Sequence, residues 1–338
     1  MMRSHEYLIQ MTKAITPSYR YDGTEDISAW QSRAKAKLEE LLGLPLIAPE
    51  EDLFSKEASY ERDGLTFTKF TFQSEEGNFV PCCLVKKTDL KGKAPLVICL
   101  QGHSSGMHIS LGESKFEGDP KTIAGGRDFA VRAAKEGCVA VAVEQRYMGS
   151  LGNPDSPVPA CCAGDNQAIP AILIGRTAIG ERVWDISRTI DAVLTHFADE
   201  VDENRVVCLG NSGGGTATFY ASCMDERIAV SVPSCALCTY EASIIAMNHC
   251  PCNYIPYIRK YFDMGDLGGL IAPRKLVTVC GKDDPIFPLP GVQESMALIE
   301  NAYKAYGKEE NCSLVIGGGG HQFYPDEAWP IIHKYLEV

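Results

Sequence analysis

The stretch VVCLGNSGGGTAT, residues 206–218, decides the fold, because it joins a β-branched run directly to a cluster of glycines around one serine. The pattern predicts a buried strand, a sharp turn and then a helix. Glycines at 210 and 214 suit such a turn, since a Cβ at either position would clash with neighbouring elements. The turn would lift the Ser212 hydroxyl above the carboxyl edge of a sheet, where the first amides of the helix point.

A glycine-rich loop between a strand and a helix can also cradle a phosphate. The chain lacks the Gly-x-Gly-x-x-Gly order after an early strand, and it lacks the Lys-Ser/Thr pair of a P-loop. The sequence therefore favours a serine nucleophile over a phosphate site.

Apolar runs on both sides of this turn predict the class of the fold. They are APLVICLQG (94–102), CVAVAVEQ (138–145), RVVCLG (205–210), IAVSVPS (228–234), KLVTVCG (275–281) and CSLVIGGGG (312–320). Helix-like segments separate most of them, which indicates an α/β fold with a mainly parallel, doubly wound sheet and helices on both faces. Before these runs, residues 60–87 alternate apolar and polar side chains as antiparallel strands do.

The amino-terminal part of the chain has a different pattern. Residues 26–45, DISAWQSRAKAKLEELLGLP, carry apolar side chains at helical spacing and end at a glycine and a proline. We therefore expect a helical extension over residues 1–50, a catalytic domain over 51–338, and small cap-like inserts.

Composition excludes several classes of partner. The 338 residues carry a net charge of −12, from 32 Lys and Arg against 44 Asp and Glu. This charge opposes binding to nucleic acid or to an anionic membrane, and no apolar run is long enough for a signal peptide or a membrane span. The 14 cysteines lie in a long chain rather than a short secreted one, so reduced thiols and a cytoplasmic location are expected.

A serine nucleophile needs a base, and the base needs an acid that holds its tautomer. On a sheet of this type the acid and then the histidine should follow the serine, each after a later strand. His321 fits the base, because it lies in a flexible loop after an apolar strand. Asp284 fits the acid just past residues 275–281, with Asp283 as the alternative. His333 falls in the predicted terminal helix, where a packing role is expected.

The chain resembles α/β-hydrolases, and among them the dienelactone hydrolase and acetyl xylan esterase-like serine esterases. The resemblance spans residue 60 to the end and rests on LQGHSSGM (100–107), EQRYMGS (144–150), WDISRTIDAV (184–193), GNSGGG (210–215), GLIAPRKLVTVCGKDDPIFP (269–288) and GGGGHQFYP (317–325). Dienelactone hydrolases have cysteine where this chain has Ser212, which favours ordinary ester cleavage. The resemblance implies a serine carboxylesterase for short-chain acyl esters, with acetylated carbohydrate as the substrate suggested by analogy.

The same resemblance implies further site residues. The amides of His103 and Gly213 would form the oxyanion hole, with Ser104 as the neighbouring option for the first donor. Substrate-pocket candidates are Ser104, Arg146, Tyr147 and Trp184. For Arg146 a structural ion pair, with Asp185 or Asp191, is the favoured alternative.

A cysteine-rich segment at residues 233–256 offers a possible metal site. Its Cys-x-x-Cys and His-Cys-x-Cys spacing is carried by Cys235, Cys238, His249, Cys250 and Cys252. The two cysteine pairs lack the usual knuckle glycines, and residues 242–248 between them are predicted as helix. Reduced cysteines in a cap-like insert are therefore favoured, and no metal or cofactor is expected.

Two other functions stay open at this stage. One is a serine peptidase or amidase of the prolyl-oligopeptidase type, and the other is a non-catalytic binding protein on a hydrolase scaffold. A small-molecule or carbohydrate ester is the expected partner. If the chain forms a homo-oligomer, the N-terminal helices are the expected contact surface.

Overall fold

The computed structural model describes residues 3–153 and 167–336. Within these ranges nine strands form one sheet in the order β1-β2-β3-β5-β4-β6-β7-β8-β9. The strands are β1 (Phe54–Arg62), β2 (Leu65–Glu75), β3 (Asn78–Lys87), β4 (Ala94–Leu100), β5 (Val139–Val143), β6 (Val201–Asn211), β7 (Ile228–Ser234), β8 (Lys275–Gly281) and β9 (Cys312–Gly317).

The direction of the strands follows their sequence pattern. β1, β2 and β3 form an antiparallel meander, and β3 also pairs antiparallel with β5. From β5 through β4 to β9 every neighbouring pair is parallel. Strands β4 and β5 are buried at every residue, as expected for parallel strands covered on both faces. The expectation of a mainly parallel sheet is confirmed.

Helices cover both faces of the sheet. They are α1 (Ser4–Lys13), α2 (Ile27–Leu42), α3 (Asp119–Thr122), α4 (Phe129–Lys135), α5 (Ala178–His196), α6 (Gly213–Met224), α7 (Ile258–Tyr261), α8 (Met264–Gly268), α9 (Leu289–Ala305) and α10 (Pro325–Leu336). Apolar residues of α2, α5, α6, α8 and α9 belong to one buried cluster, and those of α4 and α10 belong to a second. The sheet therefore lies between two helical layers.

Helix α2 begins and ends as its sequence predicts. The Asp26 side chain accepts a hydrogen bond from the Ala29 amide at 3.0 Å, and Gly43 ends the helix at a φ of 76°. Trp30 and Leu38 on its buried face are fully inaccessible within the larger core. The division of the chain at residue 50 stays a prediction.

One predicted helix is absent. Residues 242–248, expected to be helical, form successive turns instead. The Ile245 amide bonds to the Tyr240 carbonyl five residues back and the Ala246 amide to the Ser243 carbonyl three residues back, so the regular spacing of helical bonds is broken. The buried Ser243 hydroxyl also donates outside the segment, to the Ile286 carbonyl at 2.6 Å. No helix in the described residues is long and apolar enough to cross a membrane.

The topology brings four strand ends to one edge. β4 and β6 end side by side, with Leu100 paired to Gly210, and β8 and β9 end side by side, with Gly281 paired to Gly317. The loops that follow these strands contain His103, Ser212, Asp284 and His321. Residues far apart in the sequence therefore meet at the carboxyl edge of the sheet.

Candidate active site

Ser212 sits on a strained turn between β6 and α6. Its φ of 57° and ψ of −123° are rare for a residue with a side chain. The turn is held by a hydrogen bond of 2.8 Å from the Ser212 amide to the Ser234 carbonyl. A Cβ on Gly210 would lie 2.5 Å from the Gly214 carbonyl oxygen, and one on Gly214 would collide with the Leu100 carbonyl. The glycines are therefore required by close backbone approach.

Asp284 and His321 are brought together beside this turn. The Asp284 Oδ2 atom lies 2.8 Å from His321 Nδ1, and the carboxylate side chain is fully buried. Asp284 also accepts the amides of Ile286 and Phe287 at 2.8 and 3.1 Å. Burial disfavours its charge, but the hydrogen bond and charge of His321 and these two amides outweigh burial and lower the pKa of Asp284.

The neighbouring carboxylate has a different environment. The Asp283 side chain is 69% exposed and lies 3.9 Å from Lys282 Nζ. Asp283 thus occupies a solvated turn, and Asp284 is the acid that reaches the imidazole. Within the described residues the Ser212 hydroxyl makes no hydrogen bond to His321, although such bonds commonly tighten only when substrate is bound.

The loop that carries His321 is braced by its own backbone and by Tyr324. The Tyr324 hydroxyl donates to the Gly320 carbonyl at 2.9 Å and accepts the Gly319 amide at 3.1 Å. The His321 ring stacks on Phe287, with 5.9 Å between ring centroids. These contacts hold the imidazole in place. His333 lies on helix α10, and its Nε2 atom is 2.8 Å from Oε2 of Glu136 at the end of α4, consistent with a packing role.

The loop after β4 approaches the nucleophile closely. A Cβ on Gly102 would lie 2.6 Å from the Asn211 carbonyl oxygen and 3.1 Å from Ser212 Cβ. The His103 ring packs directly on Gly213, where a Cβ would meet ring atoms at 2.7 Å. At the other side, the first amides of α6 have no partner within the helix. The backbone of residues 102–103 and the start of α6 therefore flank Ser212 where an oxyanion would form.

Glu144 anchors this loop, a role that sequence reasoning did not assign. Its carboxylate accepts the Met107 amide at 3.0 Å and the Ser150 amide at 3.2 Å. Burial raises the pKa of Glu144 to about 7, and the hydrogen bonds from Ser150 and Met107, which favour the carboxylate, offset this only in part. The side chain thus ties the loop after β4 to the turn after β5.

A second group of buried polar residues was also missed. His108 Nε2 lies 2.8 Å from Asp119 Oδ2 and 3.2 Å from the Ser105 hydroxyl. Burial opposes the charge of Asp119, but the Ser105 hydroxyl, the Lys115 and Phe116 amides and His108 lower its pKa to about 2. All three side chains are buried within the connection between β4 and α4, so they stabilise its conformation. Nothing in their spacing marks them in the sequence.

The structure corrects the pocket assignment of Arg146. Its guanidinium donates to Asp185 at 2.7 and 2.9 Å and to Glu75 at 3.1 Å, and the residue is only 7% exposed. Arg146 is therefore a buried ion-pair residue with both edges engaged, not a substrate ligand. Asp191, the other partner considered, pairs with Arg188 and Arg227 instead.

The remaining pocket candidates have local partners. The Trp184 indole donates to the Ser74 carbonyl at 2.8 Å, and it lines a separate cavity of about 250 Å³ that contains no triad candidate. Tyr147 donates to Glu181 Oε2 at 2.5 Å, and Ser104 to the Gly102 carbonyl at 3.3 Å. Only Ser104 is placed beside the nucleophile by these contacts. The pocket roles of Ser104 and Tyr147 stay predictions.

The cysteines of residues 233–256 do not form one cluster. Cys235 donates to the Gln322 carbonyl at 3.2 Å and Cys238 to the Pro288 carbonyl at 3.7 Å. His249 contacts the Ser243 hydroxyl at 3.3 Å. Cys250 and Cys252 lie elsewhere, beside His103. The five candidate ligands suggested by spacing alone are therefore not assembled at one point.

Comparisons with known proteins assign the chain to a class. A model of the Abhydrolase family matches residues 2–315, so the chain belongs to that family of α/β-hydrolases. A Bacillus subtilis (strain 168) protein named "Putative hydrolase YtaP" is 26% identical over 153 residues, which are 44% of this chain. The match spans 50% of that relative.

Solved structures share the fold. A "putative acetyl xylan esterase" from Bacteroides fragilis superposes with a TM-score of 0.77 at 17% identity, covering 98% of this chain and 84% of the other. A glucuronoyl esterase from Solibacter usitatus superposes with a TM-score of 0.71 at 15% identity, covering 96% and 98%. The predicted α/β-hydrolase fold is confirmed.

Proposed function

We propose that this protein is a serine carboxylesterase that cleaves esters of carbohydrates through an acyl-enzyme. The observation that carries the proposal is the 2.8 Å contact between buried Asp284 and His321 at the sheet edge that also presents Ser212. A strained serine, an imidazole and a carboxylate in this order are the parts of a catalytic triad.

Each residue has a defined role in the proposed reaction. His321 takes the proton of the Ser212 hydroxyl as the oxygen attacks the ester carbonyl, and Asp284 stabilises the imidazolium. The amides of His103 and Gly213 stabilise the oxyanion. His321 then gives its proton to the leaving alcohol. Water, activated by the same histidine, attacks the acyl-enzyme and releases the acid.

The class of substrate rests on two supports. Two structural neighbours are named as a putative acetyl xylan esterase and a glucuronoyl esterase, so both names refer to esters of carbohydrates. The site itself favours ester chemistry in general, because it offers a candidate nucleophile, a base and two candidate oxyanion donors. The acyl and alcohol parts have to be found by assay.

A panel of esters tests the proposal. It should contain aryl acetates, acetylated xylose oligomers and methyl glucuronate, with aminoacyl amides to detect a peptidase. Ser212→Ala is expected to remain folded and to lose at least about a thousandfold in kcat. Ser32→Ala, on the exposed part of α2, is the matched control and should hydrolyse esters as the wild type does. Near-normal ester hydrolysis by Ser212→Ala would refute the proposal, and preference for amides would replace it with a peptidase.

A further inference from the structure

Three side chains of metal-ligating types, from two distant segments, meet beside the loop after β4 that flanks Ser212. His103 follows β4, whereas Cys250 and Cys252 lie in the segment before α7. Their ligand atoms all lie within 4.8 Å of one another, and His103 Nε2 is 3.3 Å from Cys252 Sγ. We propose that His103, Cys250 and Cys252 bind a zinc-type transition-metal ion with a Cys₂His ligand set.

The distances fit tetrahedral coordination. Zn–S bonds of about 2.3 Å and Zn–N bonds of about 2.0–2.1 Å place a sulfur and a nitrogen ligand roughly 3.5 Å apart in a tetrahedron. The contact of 3.3 Å between His103 Nε2 and Cys252 Sγ is close to this spacing. Two sulfurs would be about 3.8 Å apart by the same geometry. Because all three atoms lie within 4.8 Å, a bound ion requires shifts of about 1 Å or less.

The local structure prepares the ligands. Cys250 precedes a short helical turn, Pro251–Asn253, and Cys252 lies within it; the Asn253 amide donates to the Cys250 carbonyl at 3.0 Å. This turn holds the two thiols at a fixed spacing, as cysteine ligands on a tight turn require. The Asn253 side-chain amide lies 3.8 Å from Cys252 Sγ and can donate to a thiolate there. Packing of His103 on Gly213 limits the orientation of the ring.

The surroundings of the two cysteines favour thiolates bound to a metal ion over thiols in contact with solvent. Cys250 is 6% and Cys252 only 1% exposed, and Ala168, Ala178 and Tyr147 pack around them. Apolar packing strengthens bonds between thiolates and a cation, while thiolate and imidazole donors select zinc over calcium or magnesium. The described residues thus supply three of the four ligands of a tetrahedral zinc ion.

The site would join the segment at 249–253 to the loop that flanks Ser212. Its ligand set differs from the one suggested by sequence spacing, because His103 takes part and Cys235, Cys238 and His249 do not. The other group of potential ligands in the described residues is Cys235, Asp284 and His321, and it contains the proposed catalytic pair. The new site therefore stands apart from the triad in its residues.

Metal content tests the proposal directly. The full chain should be expressed with added zinc, purified without chelator and measured by elemental analysis, with an expected content of about one zinc per chain. Replacement by Co²⁺ should produce thiolate-to-cobalt charge-transfer absorption and the strong ligand-field bands of four-coordination. X-ray absorption on the zinc-loaded wild type should show two sulfur neighbours at about 2.3 Å and nitrogen at about 2.0–2.1 Å, without relying on any variant.

Variants identify the ligands. Cys252→Ser and Cys250→Ser should each lose the charge-transfer absorption and at least about tenfold in metal affinity. Cys312→Ser is the matched control, because its thiol lies on β9 outside this cluster, and it should bind metal as the wild type does. Circular dichroism of each variant shows that the fold is retained.

Three results would overturn the proposal: substoichiometric zinc removed by a brief chelator wash, zinc without sulfur neighbours, or equal loading of wild type and Cys252→Ser. If reduced protein forms a disulfide between Cys250 and Cys252 although metal is present, that result would also overturn the proposal. Metal content is read without any substrate, so the outcome does not depend on the proposed esterase activity.

Discussion

Replacing Asp284 by asparagine removes one negative charge from the proposed triad and keeps the side-chain volume. The carboxylate is fully buried, and His321 is 17% exposed at its side chain, so solvent screens the pair little. With the contact at 2.8 Å, the charge centres of the carboxylate and the imidazolium are roughly 4 Å apart, which is worth about 4 kcal/mol at an effective dielectric constant of about 20. Since about 1.4 kcal/mol corresponds to a tenfold change in rate, kcat should fall about a thousandfold.

The assay is steady-state hydrolysis of 4-nitrophenyl acetate at neutral pH. We expect the loss in kcat with little change in KM, because the imidazolium forms only as the reaction proceeds. Asp283→Asn is the matched control, since that neighbouring side chain is 69% exposed and should affect kcat less than about twofold. The reasoning is refuted if Asp284→Asn keeps more than about a tenth of wild-type kcat, or if Asp283→Asn loses as much activity.

Three further substitutions test the scaffold of the site. Gly214→Ala should lower the free energy of unfolding by about 3 kcal/mol in urea titrations, because its Cβ would meet backbone carbonyls. Gly118→Ala, with open space around it, should change the free energy of unfolding little. Equal effects of the two substitutions would contradict this. Arg146→Met should lower the free energy of unfolding by about 3–5 kcal/mol, because it leaves buried carboxylates unpaired. The exposed Arg33→Met should lower it by less than about 1 kcal/mol. Unchanged stability of Arg146→Met would contradict the ion-pair assignment. The pKa of Glu144 is raised to about 7, so the folded protein favours the protonated carboxyl. Its contribution to stability, at most about 3 kcal/mol, is complete below the usual glutamate pKa and is lost as pH rises to about 7. Glu144→Gln should flatten that loss in thermal melts from pH 4.5 to 7.5, and parallel profiles would contradict it.

The strands and the triad candidates could be predicted from the sequence because their signals are local. Each parallel strand is a short apolar run, and Ser212, Asp284 and His321 each follow such a run at a turn. The choice between Asp283 and Asp284 needed the structure, because adjacent residues on a turn point in different directions. Asp284 is buried and contacts the imidazole at 2.8 Å, whereas the Asp283 side chain is 69% exposed.

Other parts of the site depend on contacts between distant segments. Arg146 pairs with Asp185 on α5, as the favoured sequence interpretation expected, but its second partner, Glu75 on β2, lies 71 positions away and was not anticipated. His103 meets Cys252 across 149 positions of sequence. Residues 242–248 have a helical pattern but form turns, and the Ser243 hydroxyl is bonded to Ile286 in the loop after β8. In each case tertiary packing overrides the local pattern.

The most direct test of the account is to identify the residue that becomes covalently modified. A fluorophosphonate probe reacts with a serine only when a base has activated its hydroxyl. Wild-type protein should gain one probe mass, mapped by peptide mass spectrometry to the fragment containing Ser212, and Asp284→Asn should react far more slowly. Modification of a different residue, or an unmodified wild type that still hydrolyses esters, would contradict the assignment of Ser212 as the nucleophile.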